Sequence, residues 1–204
     1  MKLKIGIVDY SIGNWGSIKN ALYKLGFNPI ISQNSHQLRE SDLLILPGVG
    51  AFPPAIQAIK KRDLDKFLCE MAVINKPIIG ICLGMQLLGR SSSENQFVKG
   101  LNLIPEDVIP LGPNLCHIGW NSIKVVKQNS FINKYNDLDF YFNHSYGFSS
   151  NLNYSICETQ YKQKRITSII QKGKIVGLQF HPEKSQIQGM KFLQGLIYDL
   201  CIND

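Results

Sequence analysis

Four short apolar runs alternate with helix-like stretches over the first ninety residues, and that alternation restricts the fold more than any other feature of the chain. Lys4–Asp9 (KIGIVD), Asn28–Ser32 (NPIIS), Asp42–Gly48 (DLLILPG) and Pro77–Ile81 (PIIGI) each read as a short buried strand. Between the first two, Trp15, Ile18, Leu22 and Leu25 recur at helical spacing, and Gly26 follows as a stop. Pro53–Ile74 is again helical in pattern, with a break near Asp63, and another helix begins at Leu83. Strands separated by helices join through right-handed crossovers, which builds a mostly parallel sheet.

The second half is different. The segments 117–126 (HIGWNSIKVV), 138–146 (LDFYFNHSY), 154–159 (YSICET), 165–173 (RITSIIQKG) and 174–180 (KIVGLQF) are strand-like and separated by polar or glycine-containing turns. Gly189–Leu200 returns to a helix with Met190, Leu193, Leu196 and Ile197 on one face. No repeat and no linker interrupts the chain. The expected architecture is α/β: a doubly wound, mostly parallel central sheet with helices on both faces and an antiparallel extension, in a single domain over residues 1–204.

Composition excludes several classes. With 44% hydrophobic and 18% charged residues among 204, the chain can bury a sizeable core and is not disordered. Its first apolar run stops at Asp9, too short for a signal peptide, and no window approaches a membrane span, so a cytoplasmic protein without membrane association is expected. The five cysteines are odd in number and include no C-x-x-C, so neither a disulfide framework nor a zinc site is indicated. Cys69, Cys116, Cys157 and Cys201 read as ordinary small apolar residues. The net charge is +7, but the basic clusters at Lys60–Arg62 and Lys162–Arg165 are short and lack interleaved aromatics. They read as solvated faces rather than a nucleic-acid surface.

Cys82 has a different setting. GICLG (Gly80–Gly84) is a G-x-C-x-G pattern at the end of an apolar strand, the cysteine form of a nucleophile elbow. Flanking glycines permit a sharp strand-to-helix turn that lifts the sulfur out of the sheet. A helix N-terminus then favours thiolate, and the Leu83 N–H points to where an oxyanion would form. The same pattern also fits a buried cysteine in a tight turn. GLQFHPEKS (Gly177–Ser185) places His181 at a strand end with Glu183 two residues on. If the backbone stays extended through Pro182, both side chains face the same way, and the carboxylate orients the imidazole that accepts the thiol proton. LPGVGAF (Leu46–Phe52) offers backbone N–H groups that could complete an oxyanion hole, although alone it reads as a plain βα turn.

Taken with VDYSIGN (Val8–Asn14), HIGWN (His117–Asn121) and YFNHSY (Tyr141–Tyr146), these segments resemble the class I, triad-type glutamine amidotransferases over nearly the whole chain. Within that family they are similar to the glutaminase subunits that feed a (β/α)8 cyclase making imidazole glycerol phosphate and AICAR in histidine biosynthesis. The resemblance implies a Cys82–His181–Glu183 triad acting on L-glutamine, with no cofactor and no metal. It implies an oxyanion site from Leu83 and Pro47–Gly50 (including Gly48, Val49 and Gly50), with a peptide flip in that loop as a switch. Gln86 and the His144–Ser145–Tyr146 backbone would grip the substrate's amino-acid head. Asn14, Trp120, Tyr141 and Lys184 would lie toward the cyclase subunit of a heterodimer, with a core position for Trp120 as the alternative.

The chain departs from the usual family pattern at Cys116, where proline precedes the histidine, and at Gly89–Arg90, Asn102, Glu106 and Asn143. None is a triad position. They leave room for a paralogous glutaminase that supplies ammonia for amidating a bacterial surface-polysaccharide sugar. A different elbow-cysteine hydrolase and a non-catalytic scaffold subunit are the readings from other classes.

Overall fold

A computed structural model of the chain describes residues 3–202. The first half runs β1 (Ile5–Val8), α1 (Trp15–Lys24), β2 (Ile30–Ser32), α2 (Ser35–Arg39), β3 (Leu43–Leu46), α3 (Phe52–Lys60), α4 (Leu64–Val73), β4 (Ile78–Ile81) and α5 (Leu83–Leu87). The second half begins with β5 (Ser91–Ser92), β6 (Val98–Lys99), β7 (Asp107–Pro110), β8 (His117–Ser122) and β9 (Lys124–Val125). It continues with β10 (Asp139–His144), β11 (Tyr146–Phe148), β12 (Ser155–Tyr161), β13 (Lys164–Lys172), β14 (Ile175–Leu178) and α6 (Gln186–Ile202). Short 3-10 turns cover Ile132–Tyr135 and Pro182–Lys184.

The central sheet has the order β2-β1-β3-β4-β14-β13-β12-β9. Strands β2, β1, β3, β4 and β14 are mutually parallel, and β13, β12 and β9 extend them antiparallel. Alternate residues face opposite sides of each strand. Ile5, Ile7, Leu43, Ile45, Ile79 and Ile81 therefore enter one core, against Ile18 and Leu22 of α1 and Phe192, Leu193 and Leu196 of α6. Val8, Leu44, Leu46 and Ile78 enter the other, against α3 and α4. Burial on both faces is why these strands read as continuous apolar runs rather than alternating ones. Among the described residues no helix is long and apolar enough to cross a membrane.

The predicted break near Asp63 is present: α3 ends at Lys60, and Asp63 has φ 54° ahead of α4. Two expected strands are each divided between sheets. Residues 117–126 split into β8, which pairs with β10, and β9, which joins the edge of the central sheet; the fully buried Ile123 lies at the junction. Residues 138–146 split at Ser145 into β10 and β11, and β11 pairs with β7 in a small four-stranded sheet. The β8–β10 ribbon arches beside the carboxyl ends of the parallel strands, tied there by the His181 N–H donating to the Tyr141 carbonyl at 2.8 Å. In an open α/β sheet that end is where ligands bind.

Candidate active site

The polypeptide leaves β4 through Cys82 at φ 53°, ψ −110°, a conformation that L-residues rarely hold without support from their surroundings. The support is close packing. A Cβ on Gly84 would meet the Leu46 carbonyl oxygen at 1.9 Å, and one on Gly80 would meet the Gly84 oxygen at 2.6 Å. Only glycine lets α5 start this near β3 and β4. The turn leaves Cys82 6% exposed and Leu83 as the first residue of α5, where its N–H is one of the helix's unpaired first-turn amides.

His181 reaches the sulfur from the carboxyl end of β14, the strand beside β4. Its Nδ1 hydrogen-bonds Glu183 Oε1 at 2.8 Å, with both side chains almost fully buried. The ring's Nε2 is thus the nitrogen free to face Cys82, whose side chain also hydrogen-bonds the imidazole. Burial lowers the basicity of His181, but the hydrogen bonds and charges of Cys82 and Glu183 outweigh it and raise the pKa to about 9. The route to this geometry differs from the sequence expectation. The backbone is not extended through Pro182; it turns into a 3-10 helix over Pro182–Lys184. Proline suits the first position of such a turn because it has no N–H to leave unpaired and its φ is preset. The turn brings Glu183 back under its histidine.

These groups open into a cavity of about 330 Å³. Val49, Gly50, Leu83, Gln86, His144, Ser145 and Tyr146 line it together with Cys82 and His181, so nine of the eleven expected substrate-side and triad residues meet there, with Glu183 behind its histidine. Gly48 does not line it. It lies beneath, where a Cβ would come within 2.5 Å of the Gly84 N, and it has no positive φ. The conformational latitude in the loop therefore belongs to Gly50, at φ +91° with nothing within 4 Å of its Cβ position. A groove of about 580 Å³ beside Trp120, Ile187 and Lys191 is larger but is lined by neither a cysteine nor a histidine, so the smaller cavity is the chemical site.

Of the residues expected toward a partner, Lys184 borders the cavity. Trp120 is 48% exposed, not a core aromatic, and stands edge-on to Tyr141 with the rings 6.3 Å apart. The Lys184 ammonium lies 6.0 Å from the Tyr141 ring centre. Asn14 is exposed at the N-cap of α1, which packs near the Pro182–Lys184 turn. Ile118, 61% exposed on the same face of β8 as Trp120, extends this apolar surface and was not legible as such.

Other groups at the site escaped the sequence reading. The Tyr10 hydroxyl donates to the Pro47 carbonyl at 2.8 Å, and burial together with the Cys82 charge pushes its pKa up. Glu94 lines the cavity and accepts the Phe52 N–H at 2.7 Å, capping α3. Cys116 also lines the cavity, and like Cys69 it is exposed. His117 is buried, stacked between Phe142 and Tyr161, and hydrogen-bonded to His144 at 3.1 Å. A signal for Gln179 was present: it lies two residues before His181, a polar side chain in an apolar strand end.

A thiol beside an imidazole that is oriented by a carboxylate, in a cavity open to solvent, can attack an acyl or amide carbon and protonate the leaving group. The family described as glutamine amidotransferase class-I matches this chain over residues 6–198. The chain is 42% identical over 202 residues to the imidazole glycerol phosphate synthase subunit HisH 2 of Vibrio vulnificus, covering 96% of this chain and 94% of that one. It is 43% identical over 195 residues to the subunit HisH of Listeria innocua (94% and 93% covered) and 40% over 200 residues to that of Lactococcus lactis (97% and 99%). Among solved structures, PurLQS from Thermotoga maritima superposes with a TM-score of 0.78 at 20% identity, over 98% of this chain and 100% of that one. A glutamine amidotransferase from the same organism gives 0.71 at 18%, with both chains fully covered. These two likenesses bear on the fold alone.

Proposed function

This chain belongs to the class-I glutamine amidotransferase family, and from that premise we propose that it is the glutaminase subunit of an imidazole glycerol phosphate synthase. It hydrolyses L-glutamine to glutamate and ammonia, and the ammonia passes to a (β/α)8 cyclase partner. Relatives at about 40% identity over nearly the whole chain favour the histidine pathway over amidation of a surface sugar.

The observation that carries the chemistry is the contiguous run of Cys82, His181 and Glu183, closed by the 2.8 Å hydrogen bond of the last two. The Cys82 thiolate attacks the side-chain amide carbon of glutamine. Negative charge gathers on the amide oxygen, where the Leu83 N–H and a loop N–H of Pro47–Gly50 receive it. His181, protonated and held by Glu183, gives its Nε2 proton to the departing nitrogen, which leaves as ammonia. A γ-glutamyl thioester remains on Cys82. Water, deprotonated by the now neutral His181, hydrolyses it and restores the thiol. Gln86 and the His144–Tyr146 segment hold the ammonium and carboxylate of the substrate.

The exposed Ile118, Trp120 and Lys184, with the half-buried Tyr141, form a face for the cyclase subunit, beside the cavity that releases ammonia. The test is a glutaminase assay with and without a cyclase-type partner. Glutamate formation that rises with the partner and vanishes in Cys82→Ala is expected. No glutamate under either condition would leave a scaffold subunit on the same fold.

A further inference from the structure

Gln179 is fully buried at the carboxyl end of β14, and nothing in the mechanism above uses it. Its side chain lies between two groups that the mechanism does use. Nε2 is 4.0 Å from Cys82 Sγ, and Oε1 is 3.2 Å from Gln86 Nε2.

The direction of these hydrogen bonds is fixed by a chain of neighbours. The Tyr146 carbonyl can only accept, and it does so from His144 Nδ1 at 2.8 Å and Gln86 Nε2 at 2.7 Å. His144 therefore carries its proton on Nδ1, and its Nε2 accepts from His117 Nδ1 at 3.1 Å. His117 Nε2 in turn accepts from the Asn121 amide at 3.1 Å. With one Gln86 hydrogen on Tyr146, the other meets Gln179, which must present its oxygen there. That leaves the Gln179 amide N–H for the sulfur. It also means that Gln86 spends both hydrogens inward and keeps Oε1 as the group it can offer to a ligand's ammonium.

We infer that Gln179 is a further catalytic residue: its amide N–H donates to the Cys82 sulfur and stabilises the thiolate, while its oxygen sets the orientation of Gln86 for substrate. The inference rests on the glutaminase reading for its purpose and on the cavity's geometry for its content. A long N–H···S contact to a neutral thiol becomes a charge-assisted bond once the sulfur ionises. The bond changes are the loss of the thiol's 3.6 Å donation to the Asn143 carbonyl, the passage of the thiol proton to His181 Nε2 and a shortening of the amide contact. The titratable and charged groups around the sulfur are His181 with Glu183 behind it, Tyr10 beyond β1, His144 from β10, and Glu94, Cys116, Tyr146 and Lys184 on the cavity wall.

The test is the pH profile of Cys82 alkylation by iodoacetamide, read by mass spectrometry of the Cys82 peptide so that exposed Cys69 and Cys116 do not contribute. In Q179M the profile should move to the alkaline side by about one unit, with about tenfold slower labelling at pH 7. In Q179E, where an anion replaces the donor, the shift should be larger. Glutamine KM should rise in both. A profile that superposes on wild type in either folded variant would overturn the proposal, because a merely structural glutamine would not move it. The unmodified enzyme supplies a check independent of variant folding: the Gln179 side-chain ¹⁵N–H₂ resonance should shift with the same midpoint as alkylation, and a resonance indifferent to it would also overturn the proposal. Loss of glutamine turnover in the wild type would strike the glutaminase reading alone, since none of these labelling or NMR readouts requires glutamine.

Discussion

Single residues at this site are held in states that water would not choose. Burial lowers the pKa of His117 to about 4 and of His144 to about 3, so both rings are neutral and can act as donor and acceptor in one chain. A depressed folded pKa means that the unfolded chain binds the extra proton. The stability these rings contribute is therefore intact above pH 6.5 and lost as pH falls toward 3. Imidazole NMR should show both rings unprotonated from pH 8 to pH 5, with the urea midpoint declining below pH 6.5; a ring titrating near 6.5 would contradict the buried relay. His181 has the opposite sign: its pKa of about 9 gives a contribution complete below 6.5 and lost as pH rises through 9. Gly50 is the other residue in an unusual state. Gly50→Val meets no neighbour but forces a β-branched residue to φ +91°, at about 1–2 kcal/mol. Turnover should fall at least about tenfold while Tm drops by only about 2–8 °C. Unchanged turnover would remove the loop from the mechanism.

At the level of elements, the β8–β10 ribbon presents Ile118 and Trp120 outward while Phe140 and Phe142 anchor it to the core. Trp120→Ala should leave the melting temperature nearly unchanged and weaken cyclase binding by about tenfold or more in calorimetry; an unchanged affinity would place the interface elsewhere. The elements differ in how far the sequence disclosed them. Strands β1, β3 and β4 were legible because burial on both faces leaves an uninterrupted apolar signature. Strands β5 and β6, two residues each, and the five-residue α2 were not, since their pairing comes from tertiary contacts rather than local pattern. The strand–turn boundary at Pro182 was misread because a proline after a strand disfavours helix before it but also suits the start of a turn. Cys82 and His181 were visible through their local motifs. Tyr10 was not, and Gln179 stood out only as a polar residue in an apolar strand end, because the partners that give them roles are 37 and 97 residues away in sequence.

Across the whole molecule, the parallel half brings Pro47–Gly50, Cys82 and His181 to the adjacent carboxyl ends of the central strands β3, β4 and β14. The antiparallel half and its ribbon then roof the cavity with His144, Ser145 and Tyr146. The site is divided along the sequence, not between the halves of the sheet: the nucleophile lies in the first ninety residues and its base near the end of the chain, joined where β14 inserts beside β4. That shared site makes a single thiol the centre of the account. The most direct measurement is mass spectrometry of the protein treated with 6-diazo-5-oxo-L-norleucine, with and without excess L-glutamine. One adduct, confined to the Cys82 peptide, suppressed by glutamine and absent from His181→Ala, is the predicted result. Label spread over Cys69 and Cys116 with no protection by glutamine would contradict it.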